Sequence, residues 1–168
     1  MTRSPVARPV LALLWWMTRA TLFRQSPTAW HSWRRTLLRR FGAKIASTAR
    51  IEPTVRIDFP WNLEVGPGVY VARRCILHCE GRVVIGPGCM LGPDVHVCAA
   101  THAYEDRTMP IIAAPITLGS EVWVAADAFV GPGVTIGDRC VLVARSSAFA
   151  DLPAERVCVG EPARPRAR

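Results

Sequence analysis

Aliphatic residues recur every six positions along most of this chain, from Ile45 to about Pro153, and a small residue usually follows each of them. A period of six fits neither an α-helix, with about 3.6 residues per turn, nor a half-buried strand, whose side chains alternate. It is the hexapeptide repeat of a parallel β-helix, in which three hexads make one triangular coil. The pattern therefore predicts a mainly β fold with aliphatic side chains pointing inward. The repeat positions are Ile45, Ile51, Ile57, Val65, Val71, Leu77, Ile85, Leu91, Val97, Leu118, Val124, Val130, Ile136, Leu142 and Ala148.

The coil lengths are uneven, and the unevenness falls at one corner. Extra residues follow Ile57 and Leu77, and the only long break in the repeat follows Val97. We therefore predict that residues 60–62, residues 79–81 and the loop after Val97 stack along one edge of the prism. Such an edge indicates a functional surface, although it is also where a regular stack would tolerate insertions.

Residues before the repeat have a helical pattern. In residues 10–24, one predicted helical face carries Leu11, Leu14, Trp15 and Leu22, with Met17 nearby. Ser26-Pro27 resembles an N-cap and first-turn proline. In the second helix the predicted apolar face carries Trp30, Trp33, Leu37 and Phe41, and the other faces carry Arg34, Arg35, Arg39 and Arg40. Gly42 suits the C-terminal stop. We expect both helices to cap the open end of the prism.

The charge of the chain is concentrated in this helical segment. Residues 1–51 contain nine arginines, Lys44 and no acidic residue, whereas the 13 acidic residues all lie later in the chain. Such a segment is attracted to phosphate-rich surfaces, either anionic lipid or nucleic acid. Together with the Trp and Leu side chains, it favours peripheral contact with an anionic membrane through residues 1–42. A nucleic-acid-binding module is a weaker alternative, because no recognised motif supports it.

Compartment and boundaries follow from the remaining features. The six cysteines form no CxxC pair or zinc-finger spacing, so we interpret them as free thiols in a reducing compartment. No segment has the roughly 18 apolar residues of a membrane span, and the apolar run 10–17 lacks a signal-peptide cleavage site. We therefore expect a cytoplasmic protein. Its chain is divided into a basic helical segment at 1–44 and a β-helix at 45–153 that includes a loop at 102–117. Residues 154–168 are expected to form a closing strand near Val157 and then a disordered Arg/Pro tail.

Several motifs beyond the repeat resemble the hexapeptide-repeat acyltransferases, specifically the colanic acid biosynthesis acetyltransferases. They are Ser26-Pro27, Trp33-Arg34-Arg35, the segments 41–45 and 60–63, Thr101-His102-Ala103-Tyr104, and the segments 123–130 and 132–137. The resemblance implies a left-handed β-helix and a homotrimer with the active site between subunits. It also implies acetyl-CoA as donor, no metal, and a sugar hydroxyl of a surface polysaccharide pathway as acceptor. We expect that acceptor to be a sugar or a lipid-linked sugar.

The same resemblance assigns roles to individual residues. It implies that His102 is the general base, since a positioned imidazole can take the proton of an attacking hydroxyl. Glu105 and Asp106 are two candidates to orient its ring. Acetyl-CoA is expected to contact Trp123, Ala125, Ala126, Ala144, Arg145 and Arg164. The acceptor is expected to contact Cys79, Glu80, Thr101 and Tyr104.

The chain departs from the family pattern at two places. Cys79 replaces an asparagine that helps to bind the acceptor, and Phe149-Ala150 replaces a Thr-Lys pair whose lysine contacts CoA phosphates. Arg145, Arg164 or Arg166 could compensate for that lysine. The departure leaves open a non-catalytic scaffold protein of the same fold.

A metal hydrolyase of the γ-carbonic anhydrase kind is a further alternative. It would need three convergent histidines, for which His78, His96 and His102 are the candidates. They occupy different offsets within their coils, so we do not expect them to converge within one chain.

Overall fold

A computed structural model describes residues 2–3 and 9–166 of the chain. It confirms the predicted parallel β-helix with an N-terminal helical segment. Helix α1 (Pro9–Thr18) continues into a π-helical segment (Arg19–Phe23), and helix α2 (His31–Arg40) follows. Among the described residues, no helix is both long and apolar enough to cross a membrane.

Three parallel sheets form the faces of the prism. The first face contains Lys44–Ile45 (β2), Leu63–Val65 (β5), Val83–Ile85 (β8), Ile116–Leu118 (β13) and Thr135–Ile136 (β16). The second contains Arg50–Ile51 (β3), Tyr70–Val71 (β6), Met90–Leu91 (β9), Trp123–Val124 (β14), Val141–Leu142 (β17), Val157–Gly160 (β19) and Ala163–Arg166 (β20). The third contains Arg56–Asp58 (β4), Ile76–His78 (β7), His96–Cys98 (β10), Phe129–Val130 (β15) and Ser147–Ala148 (β18).

The register of these sheets follows the hexapeptide repeat. Ile57 pairs with Leu77, and Leu77 pairs with Val97 in the next coil. All of the predicted repeat positions are buried, and they form one continuous hydrophobic core. Gly86 shows why a small residue follows an aliphatic one, because a Cβ there would lie 2.3 Å from the carbonyl oxygen of Gly119 in the next coil.

The predicted alignment of irregular segments along one edge is confirmed. This third edge, between the third and first faces, carries a 3₁₀ turn at Pro60–Asn62. The Asn62 side-chain amide donates hydrogen bonds to the carbonyls of Cys79 (2.9 Å) and Glu80 (3.0 Å) in the next coil. The Gly81 N–H in turn donates to the carbonyl of Ala99, where the long loop begins. That loop is a hairpin of Ala100–His102 (β11) and Ile111–Ala113 (β12), and Thr2–Arg3 (β1) pairs with β12.

The first helix buries Trp15 as predicted, but the rest of the predicted face is at least partly exposed. Trp15 and Phe23 are buried and lie edge to face, with ring centroids 5.9 Å apart. Leu14, Met17 and Leu22 are more than half exposed. The π-helical segment accounts for the burial of Phe23 in place of Leu22, since its i→i+5 hydrogen bonds change the phase at which side chains return to one face.

In the second helix the predicted apolar face is confirmed for Leu37, which is buried, and for Phe41, which packs against the core, but not for the two tryptophans. Trp30 and Trp33 are exposed, whereas Arg34 is completely buried beside Leu37 and Leu38. Helix α2 begins at His31, so Ser26-Pro27 does not cap it. The Ser26 hydroxyl instead donates to the carbonyl of Phe23 and accepts from Arg34. Gly42 does follow the helix with a positive φ of 89°, as predicted for the stop.

Three arginines of α2 and a tryptophan of α1 donate hydrogen bonds to the open end of the prism. The first coil is an edge in all three sheets, so its outward carbonyls need donors. Arg39 donates to the carbonyl of Ile45, Arg35 to that of Ala49 and Arg34 to that of Ile51. On the third face, the Trp15 indole N–H donates to the carbonyl of Ile57 at 2.7 Å. The predicted capping role of the helices is therefore explained by backbone acceptors.

The C-terminal segment is more ordered than predicted. Val157–Gly160 joins the second face, as expected for a closing strand. The tail then returns as β20, which pairs with β19 in an antiparallel hairpin. The prediction of a disordered tail from residue 160 was wrong for residues 163–166, because their backbone pairs with the last strand of the sheet. Residues 167–168 lie outside the described part of the chain.

Candidate active site

His102 ends strand β11 on the hairpin that leaves the third edge, and its imidazole is exposed. Its Nδ1 lies 2.7 Å from the carbonyl oxygen of Met109. Because a carbonyl only accepts hydrogen bonds, Nδ1 must carry the proton, and the lone pair resides on Nε2. This arrangement fixes the tautomer that a general base requires.

The ring of His102 is oriented by a backbone carbonyl and not by Glu105 or Asp106, so the predicted orienting carboxylates were wrong. The Asp106 carboxylate accepts hydrogen bonds from the backbone N–H (2.9 Å) and hydroxyl (2.8 Å) of Thr108. These two bonds lower the pKa of Asp106. The Met109 N–H donates to the carbonyl of Asp106, so this turn sets the position of the Met109 carbonyl. The sequence signal for it was the Asp-x-Thr spacing, which is typical of a side-chain-stabilised turn.

The predicted acceptor contacts lie near this hairpin, with one exception. Thr101 and Tyr104 are exposed on the same hairpin as His102. The Glu80 carboxylate is 9% exposed and lies 3.6 Å from Nε2 of His78. The Cys79 thiol is completely buried, and burial raises its pKa. The structure therefore leaves no access for an acceptor to that thiol, and only the backbone of Cys79 faces the third edge.

The predicted acetyl-CoA contacts lie on a different edge. Ala125-Ala126 and Ala144-Arg145 form consecutive turns of the second edge, between the second and third faces, and the Arg145 N–H donates to the carbonyl of Ala126. The backbone N–H groups of Ala126 and Ala144 have no acceptor among the described residues, which leaves them free for a ligand. Trp123 is half exposed on the second face beside this edge.

The remaining predicted groups lie at the C-terminal end of the prism. Arg164 is exposed on β20 of the second face. Arg145 forms an exposed ion pair with Asp127 at 3.4 Å. Phe149, at the position of the missing threonine, is exposed and packs on Phe129, with ring centroids 5.5 Å apart.

The structure thus gathers the predicted residues into two clusters on different edges. His102, Thr101, Tyr104 and Glu80 belong to the third edge, whereas the donor contacts belong to the second edge and second face. Among the described residues, no group of three or more His, Cys, Asp or Glu side chains has an arrangement that could hold a metal ion.

Comparison with known proteins gives the family. The chain is 43% identical over 150 residues to WcaF of Escherichia coli K12, which is named as a colanic acid biosynthesis acetyltransferase, covering 89% of this chain and 82% of that protein. Two solved structures have the same fold. One is a maltose O-acetyltransferase from Clostridium difficile 630, with a TM-score of 0.84 and 27% identity over 94% of this chain and 87% of that one. The other is a galactoside acetyltransferase in complex with coenzyme A, with a TM-score of 0.86 and 25% identity over 96% and 82%.

No protein-family model matches the chain. The similarity to WcaF extends over most of the chain, since 89% of it is covered. With the hexapeptide-repeat prism on which those residues lie, this similarity shows that the chain belongs to the hexapeptide-repeat acetyltransferases.

Proposed function

We propose that this protein transfers the acetyl group of acetyl-CoA to a sugar hydroxyl in the synthesis of a surface polysaccharide, with His102 as the general base. The observation that carries the proposal is the imidazole of His102, whose Nδ1–H is held by the Met109 carbonyl while Nε2 remains open to a substrate. Relatives named as acetyltransferases of sugars support the reaction class.

The proposed reaction is a direct transfer between bound donor and acceptor. Nε2 of His102 takes the hydroxyl proton as the sugar oxygen attacks the thioester carbonyl. The tetrahedral intermediate then collapses, the C–S bond breaks, and the imidazolium returns the proton to the departing thiolate of CoA. The Met109 carbonyl stabilises the imidazolium formed in between. The free N–H groups of the second edge are candidates to bind the oxyanion.

The two residue clusters support an active site shared between subunits. The His102 hairpin leaves the third edge, while Trp123 lies on the second face, which is opposite that edge in a triangular prism. A homotrimer would place the hairpin of one chain against the second edge of its neighbour. Sedimentation equilibrium measures this state directly, and a monomer that is fully active would exclude a shared site.

The exposed side chains of α1 support peripheral contact with the cytoplasmic membrane. Val10, Leu13, Leu14, Trp16 and Met17 are all at least half exposed. They accompany the cations of residues 1–42, which attract anionic lipid. Flotation with phosphatidylglycerol vesicles tests this location, and binding that survives both high salt and deletion of residues 1–42 would contradict it.

The reaction is tested by thiol release from acetyl-CoA with a panel of sugars and sugar nucleotides. We expect acceptor-dependent release that falls by about 10²- to 10⁴-fold in His102→Ala, the usual contribution of a general base. Arg107→Ala is the matched control, since Arg107 is exposed on the same hairpin. A near-normal rate in His102→Ala would remove His102 from the mechanism. Absence of both release and CoA binding in the unaltered protein would favour the non-catalytic scaffold.

A further inference from the structure

Two adjoining cavities lie between the helical segment and the first coil of the prism, at the second edge and the third face. Three coils separate them along the second edge from the donor contacts at Ala125-Ala126. The first, of about 280 Å³, is lined by Trp16, Arg19, Ala20, Arg24, Pro53, Thr54, Val55 and Arg56. The second, of about 270 Å³, is lined by Ala12, Trp15, Trp16, Arg19, Arg56, Asp58, Phe59, Trp61 and His78. Trp16, Arg19 and Arg56 line both, so the two cavities lie side by side, and we refer to them together as the groove. We call its two parts the arginine cavity and the aromatic cavity.

The arginine cavity carries a concentrated positive charge. Three guanidinium groups line it, and no acidic residue is among its lining residues. Arg19 is 17% exposed, and burial lowers its pKa. Arg19 and Arg56 both pair with Asp58, at 3.0 and 3.1 Å, in the neighbouring aromatic cavity. Arg24 pairs with no carboxylate among the described residues, so one cation of the cavity has no internal counter-charge.

Among the described residues, the arginines of this cavity do not donate hydrogen bonds to the backbone carbonyls of the first coil. That role belongs to Arg34, Arg35 and Arg39, whose guanidinium groups donate to carbonyls. The described side chain of Arg24 makes no such bond, although like charge from Arg24 lowers the pKa of Arg19. A multivalent anion bound here would relieve that repulsion, and guanidinium groups recognise phosphate oxygens by charge-assisted hydrogen bonds.

The aromatic cavity has the composition of a sugar site. Trp16, Phe59 and Trp61 supply apolar ring surface, while Asp58 and His78 supply polar groups. Asp58 is stacked under His78, and His78 under Cys98, in register on the third face. Two strand spacings, about 10 Å, therefore separate Asp58 from the strand that leads into the His102 hairpin. A ligand that extends from the arginine cavity into the aromatic cavity therefore crosses the third face toward the third edge.

From this arrangement we propose that the groove binds an acceptor in which the sugar is linked to a diphosphate, with the diphosphate in the arginine cavity and a sugar in the aromatic cavity. The assignment rests on the proposed function, because it gives the substrate class of that acetyl transfer. The diphosphate could come from a nucleotide-linked or a prenyl-linked sugar, which share this chemistry. The exposed apolar side chains of α1 beside the groove favour the prenyl carrier.

The test is calorimetric titration of the full chain with inorganic pyrophosphate at about 0.15 M salt, where long-range attraction is screened. We expect saturable binding that weakens about tenfold in Arg24→Gln, the loss of one charge-assisted hydrogen bond. Arg56→Gln is a second variant of the same cavity. Arg40→Gln is the matched control, since Arg40 is exposed on α2 outside the groove, and its binding should stay within about twofold of the unaltered protein.

Further titrations separate the sources of the anion. UDP-glucose and farnesyl diphosphate should each displace pyrophosphate, and the tighter of the two identifies the carrier. Because coenzyme A also carries a diphosphate, displacement by acetyl-CoA but by neither UDP-glucose nor farnesyl diphosphate would assign the cavity to the donor and overturn the proposal. Absence of saturable binding, or equal weakening in Arg24→Gln and Arg40→Gln, would also overturn it. Binding should persist in His102→Ala, so the result is independent of whether His102 is the base.

Discussion

Arg34 offers the sharpest test of how the helices are held on the prism. Its side chain is completely buried, and it donates to the carbonyls of Ile51 (2.7 Å), Pro27 (2.7 Å) and Thr28 (2.5 Å) and to the hydroxyl of Ser26 (2.8 Å). Burial lowers the pKa of Arg34, against an opposing effect from Glu52. The perturbation that we consider is Arg34→Met, which keeps an apolar stem and removes every donor.

The expected loss follows from the four acceptors. Each buried acceptor that loses its partner costs about 1–3 kcal/mol, and part of this is recovered because no guanidinium has to be desolvated. We therefore expect a loss of about 3–5 kcal/mol in the stability of the helical segment against the first coil. Arg34→Lys should reduce this stability less than Arg34→Met, because an ammonium keeps three of the donors. It should still be less stable than the unaltered protein, because an ammonium lacks the planar fork of a guanidinium.

Hydrogen exchange measured by mass spectrometry suits this local effect. Peptides from residues 9–43 should exchange roughly 10²- to 4 × 10³-fold faster in Arg34→Met, since each 1.4 kcal/mol is about a factor of ten. Peptides from the later coils should be unchanged, because no part of Arg34 reaches them. Arg40→Met on the same helix is the control. Equal exchange in the two variants would refute the view that buried arginine bonds hold the helices in place.

Two other predictions concern the thiols and the donor site. Burial raises the pKa of Cys75 to about 12, of Cys89 to about 11 and of Cys140 to about 12, so these thiols stay protonated at pH 8 and should react slowly with Ellman's reagent. Only the partly exposed Cys98 should react quickly, and rapid reaction of several thiols in the folded protein would contradict this. Ala150→Lys should restore the missing family cation and tighten acetyl-CoA binding by about two- to fivefold at low salt. Ala154→Lys, also exposed at this end, is its control, and equal gains in both would show a nonspecific charge effect.

The hexapeptide repeat determined the fold, because an inward side chain every six residues can be buried together only if three strands close each coil. The two-residue excess after Ile57 and Leu77 likewise determined which edge is irregular. The strands before and after each excess are paired in register with the next coil, so the extra residues can only lie in the turn between them. The position of the loop that carries His102 could be predicted for the same reason, because it interrupts an otherwise regular repeat.

The roles of the arginines were decided only by tertiary structure. A helical pattern places Arg34 on a polar face, yet the unpaired carbonyls of the first coil supply acceptors that make its burial favourable. The π-helical segment similarly buries Phe23 in place of Leu22, a phase change that side-chain spacing does not encode. The Met109 carbonyl that orients His102 is a backbone group, so residue identity could not reveal it. Sequence alone determined the repeating scaffold. Contacts between distant segments decided which side chains stabilise that scaffold and which remain free to bind a ligand.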